Sequence, residues 1–175
     1  MMSTAAPAEN KPSIEPLYEI TLDMDNDGRM DRAAIVQNPD GGQADLYIYL
    51  DAGDEKLDLS RKPAYLKDGL TTERIQGLEA KGKGSLVVTF GCGGCSNDYE
   101  TTLTIVDRGG KFLVAGVTYD WDTREGMGSC DINFLTGRGV VSRGLNGKSK
   151  PIKGKFRPVR LADWSDEIVS KACDS

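Results

Sequence analysis

The residues best suited to chemistry lie in one short acidic run, LDMDNDGRMDRAAIV, at residues 22–36. Its carboxylates follow the pattern D-x-D-x-D-G-x-x-D and are Asp23, Asp25, Asp27 and Asp31. Alternate side chains of such a loop can converge on one point, and the glycine permits a sharp reversal of the chain. Calcium takes about six to eight hard oxygen ligands in flexible geometry. The run therefore predicts a calcium-binding loop.

The expected calcium ligands are three alternate carboxylates, a backbone carbonyl and a closing carboxylate. In order they are Asp23, Asp25, Asp27, the carbonyl of Arg29, and Asp31. Position twelve of the pattern is Ala34 rather than glutamate, and no helical pattern flanks the loop, so it departs from an EF-hand. Magnesium suits the loop less well because it demands tight octahedral geometry. We expect a structural ion that fastens the start of a β-hairpin; the alternative is a polar turn without an ion.

The chain has 175 residues and no histidine. Ser-His-Asp and Cys-His catalysis and histidine-ligated zinc are therefore excluded. The remaining catalytic groups are carboxylate pairs, lysine, tyrosine or a metal, and none forms a recognisable catalytic constellation. We therefore predict a protein that is not an enzyme.

The four cysteines indicate two disulfides and an oxidising compartment. Cys92 and Cys95 form a C-x-x-C motif that follows a predicted strand, without the helix and βαβ context of a redox motif. We favour a Cys92–Cys95 pair, which leaves Cys130–Cys173 to fix the C-terminal tail; crossed pairings stay open. We expect a periplasmic or secreted protein whose signal peptide has been removed.

The charge is unevenly distributed along the chain. Residues 1–60 contain thirteen acids and four bases, whereas residues 138–160 contain eight bases and no acid. The two regions either neutralise each other within the fold or form separate partner surfaces. Nucleic-acid binding is not expected, because the net charge is −5 and the basic run carries one aromatic residue, Phe156. No apolar run is long enough to span a membrane.

Alternating hydrophobic residues and glycine-rich turns predict an all-β fold. The predicted strands are Pro16–Leu22, Arg32–Gln37, Ala44–Asp51, Arg74–Ala80, Ser85–Gly91, Thr101–Asp107, Lys111–Asp122, Cys130–Phe134, Gly139–Arg143 and Lys155–Leu161. Residues 52–73 read as a long connection with one helical turn near Tyr65–Lys67, and Asp163–Cys173 as a short helix or an irregular strap. We expect a disordered arm at residues 1–12 and one domain at 13–175, a sandwich or barrel-like sheet of about nine strands.

Two segments carry a family resemblance. The acidic loop and the hairpin after it, residues 22–50, resemble the calcium loops of FG-GAP-type and VCBS-like extracellular repeats. Residues 103–141, with the hairpin TIVDRGGKFLVAGVTY and the motif CDINFLTGRG, resemble a largely uncharacterised group of small bacterial cell-envelope proteins. The resemblance implies an exported, β-rich protein with a calcium loop and transfers no activity.

These observations favour a calcium-stabilised exported β-domain with a non-catalytic, binding or structural role in the cell envelope. Its partner would be an envelope protein or a glycan; the sequence does not define its oligomeric state. The candidate partner-binding residues lie in the segment YDWDTRE and are Tyr119, Asp120, Trp121, Asp122 and Arg124. One alternative is a periplasmic inhibitor or immunity protein of an envelope-degrading enzyme. The other is a carbohydrate hydrolase with a carboxylate pair drawn from Asp120, Asp122, Glu125 and Asp131.

Overall fold

The computed structural model describes residues 15–38, 42–53 and 56–173 and forms two antiparallel sheets. The predicted arm at residues 1–12 lies outside these ranges. The small sheet has the order β1-β2-β3-β4, and its strands are β1 (Tyr18–Leu22), β2 (Asp31–Gln37), β3 (Ala44–Tyr49) and β4 (Tyr65–Thr71). Each strand pairs with the next one in the chain, so the sheet is a simple meander.

The large sheet has eight strands, of which seven follow the order β11-β10-β9-β8-β7-β6-β5. They are β5 (Arg74–Lys81), β6 (Ser85–Cys92), β7 (Asp98–Asp107), β8 (Phe112–Thr123), β9 (Gly126–Asn133), β10 (Arg138–Arg143) and β11 (Lys150–Pro151). The short strand β12 (Val159–Arg160) pairs separately with β8. A 3-10 turn at Leu161–Asp163 and one helix, α1 (Glu167–Cys173), follow. The structure thus confirms the all-β, sandwich-like prediction.

One buried hydrophobic cluster joins the two sheets. Ile35 and Ile48 of the small sheet and Leu103 and Ile105 of the large sheet are all fully buried within it. Strand β2 is the most buried strand of the small sheet, because Asp31–Val36 are buried on both faces. This explains why β2 lacks the polar alternation of a strand with one face in water.

Strand β4 lies where a long connection with a helical turn was predicted, so that prediction was wrong. The segment YLKDGLT contains turn-forming residues, but the β3–β4 register shifts between Ala44 and Leu46 and accommodates them as a bulge. Gly69 takes a φ of 61° there, and its amide donates to Oδ1 of Asp45 at 2.7 Å. The bulge depends on a neighbouring strand and leaves little signal in the sequence of β4 itself.

The predicted strand Lys155–Leu161 is also wrong for most of its length. Only Val159–Arg160 forms a ladder, since Pro158 has no amide hydrogen to donate. The YDWDTRE segment is mostly strand: β8 ends at Thr123, one residue beyond the predicted strand Lys111–Asp122, and β9 begins at Gly126. In the described part of the chain no helix is long and apolar enough to cross a membrane.

Candidate metal loop and binding surfaces

The acidic loop connects β1 to β2, as the sequence predicted. Ligand oxygens of Asp23, Asp25 and Asp27 lie within 4.8 Å of one another. Asn26 and Gly28 take positive φ values of 62° and 89°, which turn the chain around this group. The loop therefore brings three hard oxygen donors together on one small, solvent-facing site.

Backbone amides of the loop already point at these carboxylates. The amides of Asp27 and Gly28 donate to the two oxygens of Asp23, each at 3.1 Å. The amide of Asp27 also donates to Oδ1 of Asp25 at 3.2 Å. These bonds orient the carboxylates and offset part of their mutual repulsion.

Two buried residues fix the ends of the loop to the body of the protein. The side chain of Met24 is fully buried in the core. Asp31 is 1% exposed; its Oδ2 accepts from the amide of Met24 at 2.7 Å, and its Oδ1 accepts from the amide of Asp51 at 2.8 Å. Asp31 thus ties the loop to the end of β3 and lies outside the three-carboxylate group.

The guanidinium of Arg29 acts as an internal counter-ion. Its Nε lies 2.8 Å from Oδ2 of Asp27 and 2.8 Å from Oδ1 of Asp51. Hydrogen bonds from Arg29 hold the pKa of Asp27 below its usual value. The pKa of Asp25 is raised, first by partial desolvation and then by the negative charges of Asp27, Asp31 and Asp23. A bound cation would compete with Arg29 for Asp27 and relieve the repulsion around Asp25.

Both favoured disulfide pairs are present, Cys92–Cys95 and Cys130–Cys173. The first closes an exposed turn between β6 and β7, and the second joins buried Cys130 of β9 to buried Cys173 at the end of α1. Disulfides are typical of proteins in oxidising compartments.

Asp120 and Asp122 of the candidate partner site are joined by two carboxylates of β7 that the sequence analysis missed. In the β7–β8 register Asp98 lies opposite Asp122, and Glu100 lies opposite Asp120. Directly opposed residues of an antiparallel pair project from the same face. Leu103 lies three residues after Glu100, so its side chain projects from the opposite face of β7, and it is buried in the core. The four acids therefore lie on the outer face of the large sheet.

The four acids line a shallow, open depression with a volume of about 570 Å³, which we call the acidic trough. Its sides are formed by Gln76 and Gly93 on one hand and by Met127 and Leu145 on the other. The Leu145 side chain is 84% exposed. Oδ1 of Asp98 is buried without a hydrogen-bond partner among the described residues. The trough therefore offers negative charge, an unused acceptor and an apolar rim.

Of the other candidate partner residues, Trp121 also lines the trough, and Tyr119 and Trp121 together line a second cavity of about 580 Å³. Tyr119 and Trp121 face the opposite side of β8, where their rings stack 5.5 Å apart. The Arg143 guanidinium lies 5.7 Å from the Trp121 ring, and its Nη2 donates to the carbonyl of Cys173. Arg124 lies in the two-residue turn between β8 and β9. These aromatic side chains thus support the end of the core.

Among the hydrolase candidates, Asp131 shares the outer face with Asp120 and accepts from Oγ1 of Thr118 at 2.9 Å. Glu125 lies in the β8–β9 turn. A different carboxylate pair, Glu73 and Asp166, lines a smaller pocket of about 270 Å³ beside α1 together with Tyr99. Glu73, Tyr99 and Asp166 come from three distant parts of the chain, so no local sequence pattern indicates this pocket.

The environment of the Glu73–Asp166 pocket raises the pKa values of two of its ionisable groups. Asp166 is exposed at the mouth of the pocket, but partial desolvation of its carboxyl group, followed by the negative charge of Glu73, raises its pKa, although Oγ1 of Thr71 donates to its Oδ2 at 3.1 Å. Burial and the adjacent Glu73 carboxylate raise the pKa of Tyr99 to about 12. The pocket therefore holds a neutral phenol and one carboxyl group whose charged form is disfavoured.

Comparison of the chain with protein-family models, curated proteins and solved structures gave no match. The function must be argued from the loop, the disulfides and the surfaces of this chain alone.

Proposed function

We propose that the protein is an exported, calcium-stabilised β-domain whose role in the cell envelope is binding rather than catalysis. The observation that carries the proposal is the convergence of Asp23, Asp25 and Asp27 on a loop fixed at both ends by buried residues. The two disulfides support an oxidising, extracytoplasmic compartment. The surface assigned to binding is the acidic trough on the opposite sheet.

Calcium fits the loop better than magnesium does. The three carboxylates and neighbouring backbone carbonyls are hard oxygen donors on an exposed turn, and calcium accepts variable geometry and coordination number. Magnesium needs near-ideal octahedral geometry and gives up its waters reluctantly. Arg29 neutralises part of the negative charge of the three carboxylates, and the ion would neutralise the rest. Its role would be to stabilise the β1–β2 connection.

A thermal melt with calcium and with a chelator tests the proposal. An ion present at about 100 times its dissociation constant stabilises the folded state by about 2.7 kcal/mol. For a chain of this length that corresponds to a rise of about 5–10 °C in melting temperature. Asp23→Asn/Asp25→Asn should abolish most of this rise, because it removes two of the three charged donors.

Two further variants sharpen the test. Asp58→Asn is a matched control, because Asp58 is also an exposed aspartate that accepts a backbone amide, that of Ser60 at 2.9 Å, outside the loop. It should keep the full calcium response. Arg29→Ala keeps the backbone carbonyl and removes the competing guanidinium. Exposed ion pairs are weak, so calcium affinity should rise only modestly.

Isothermal titration calorimetry measures the affinity of each variant for calcium directly. If the parent and Asp23→Asn/Asp25→Asn bind calcium alike, or if neither binds it, the calcium proposal is wrong. Loss of binding in the double variant together with an unchanged Asp58→Asn control would establish the loop as the site.

A further inference from the structure

We propose that the acidic trough of one molecule binds a basic segment of a second copy of the same chain. The inference rests on the proposed binding role and does not depend on calcium. The trough contributes Asp98, Glu100, Asp120 and Asp122 on the outer face of the large sheet. The complementary segment is Lys153, Lys155 and Arg157, which we call the basic strap.

The strap presents its charges in a fixed direction. Its inward-facing side chains are Ile152, which is buried, and Phe156, which packs edge-to-face against Phe134 with ring centroids 6.3 Å apart. The amide of Ile152 donates to the carbonyl of Gly139 at 2.9 Å. The cations at positions 153, 155 and 157 alternate with these anchors and are exposed. The strap thus has an apolar inner side and a basic outer side, and the chain bends at Gly154, between Lys153 and Lys155.

The trough presents its charges in two rungs, Asp98–Asp122 and Glu100–Asp120, which are two residues apart along their strands. Two residues of strand span about 6.6 Å, so cations of a second molecule could lie at both rungs. The apolar stems of the lysines could rest against Met127 and Leu145.

Among residues 15–38, 42–53 and 56–173, no ion pair involves either charge set. The ion pairs of the described residues connect Arg29 with Asp27 and Asp51, Arg32 with Glu19, Arg160 with Asp163, and Lys171 with Glu167. None involves the trough or the strap. Neutralisation of the basic run by the acidic N-terminal region, one expectation from the sequence, is thus not seen for these three cations.

A trough-to-strap contact is heterologous, since it joins two different surfaces. Such contacts form rings when the rotation closes and open chains when it does not. Like-charge residues directly opposite each other destabilise a sheet, and cations from a second molecule would remove that cost at both rungs. The association should be weak and strongly dependent on salt, because its charged groups are near the surface.

Sedimentation velocity of the full chain over a concentration series tests the inference. We expect the weight-average mass to rise with concentration in about 20 mM salt and to return to that of a monomer in about 500 mM salt. Glu100→Lys/Asp120→Lys and Lys153→Glu/Lys155→Glu should each remain monomeric when measured alone. An equimolar mixture of the two variants should associate again, because each supplies the charge that the other lacks.

The matched control is Glu15→Lys/Glu79→Lys, which makes the same change of net charge at exposed positions outside the trough. It should associate like the parent. A parent that stays monomeric at every concentration overturns the inference, as does a mixture of the two folded variants that does not associate. Thermal melts verify folding, and the calcium response tests the metal loop separately, so failure of one proposal is distinguishable from failure of the other.

Discussion

The two disulfides should differ sharply in their contribution to stability, because they close loops of very different length. Cys130 and Cys173 are 43 positions apart, whereas Cys92 and Cys95 are 3 apart. Loop-closure entropy gives about 4 kcal/mol for the long loop and about 1.6 kcal/mol for the short one at 25 °C. The first bond also holds α1 against the sheet, so its removal affects packing as well as the unfolded chain.

The perturbation is Cys130→Ala/Cys173→Ala, compared with Cys92→Ala/Cys95→Ala under identical oxidising conditions. Urea denaturation measures the free energy of unfolding and its dependence on denaturant. We expect the first variant to lose at least about 4 kcal/mol, or about 8–16 °C in melting temperature. The second should lose less than half of that free energy. The denaturant dependence should increase most for the first variant, since its unfolded chain becomes less compact.

Equal losses in the two variants would refute this reasoning, as would a larger loss for Cys92→Ala/Cys95→Ala. Either result would mean that local geometry at the β6–β7 turn, rather than closure of the long loop, dominates the effect of the disulfides on stability.

Two further predictions concern the metal loop and the Glu73–Asp166 pocket. Met24→Ala should cost about 2–5 kcal/mol in urea unfolding, because a fully buried side chain is removed from the core, and should weaken calcium binding measured by calorimetry, because the loop loses its anchor. An unchanged calcium affinity would show that the loop holds its shape without Met24. Asp166→Asn should be more stable than the parent at pH 7, by less than the Met24→Ala effect. The folded pKa of Asp166 is raised above 3.8, so its ionised form opposes folding at neutral pH and protonation relieves that cost as the pH falls. Melting curves should therefore converge below about pH 4; a variant that is less stable than the parent at pH 7 would contradict this account.

The sequence was most informative where a local pattern has a local cause. The alternation of ADLYIYL defined β3, and the aspartate spacing with Gly28 defined the turn that gathers three carboxylates. The favoured cysteine pairs are both present. In each case neighbouring residues determine the conformation or the small number of partners available, so inspection of one segment was sufficient.

The sequence was least informative where the stabilising partner is distant in the chain. Strand β4 depends on the bulge at Asp45 and on the left-handed conformation of Gly69, neither of which the segment YLKDGLT reveals. Asp31 was expected to close the metal shell. That role stays a prediction, but the sequence did not show that both of its oxygens accept backbone amides, one from the residue after β3, twenty positions further along the chain.

The acidic trough shows the same limit for function. Asp120 and Asp122 alternate visibly in YDWDT, and Asp98 and Glu100 alternate in SNDYE, but only the β7–β8 register brings the two pairs together. A register shifted by one residue would place Tyr99 opposite an aspartate and would turn the acids to opposite faces. The observed register is determined by the apolar residues farther along both strands, such as Leu103 opposite Val117. Packing in the core thus places like charges opposite each other at two rungs, where they repel. A cationic partner bound at the trough would relieve this repulsion.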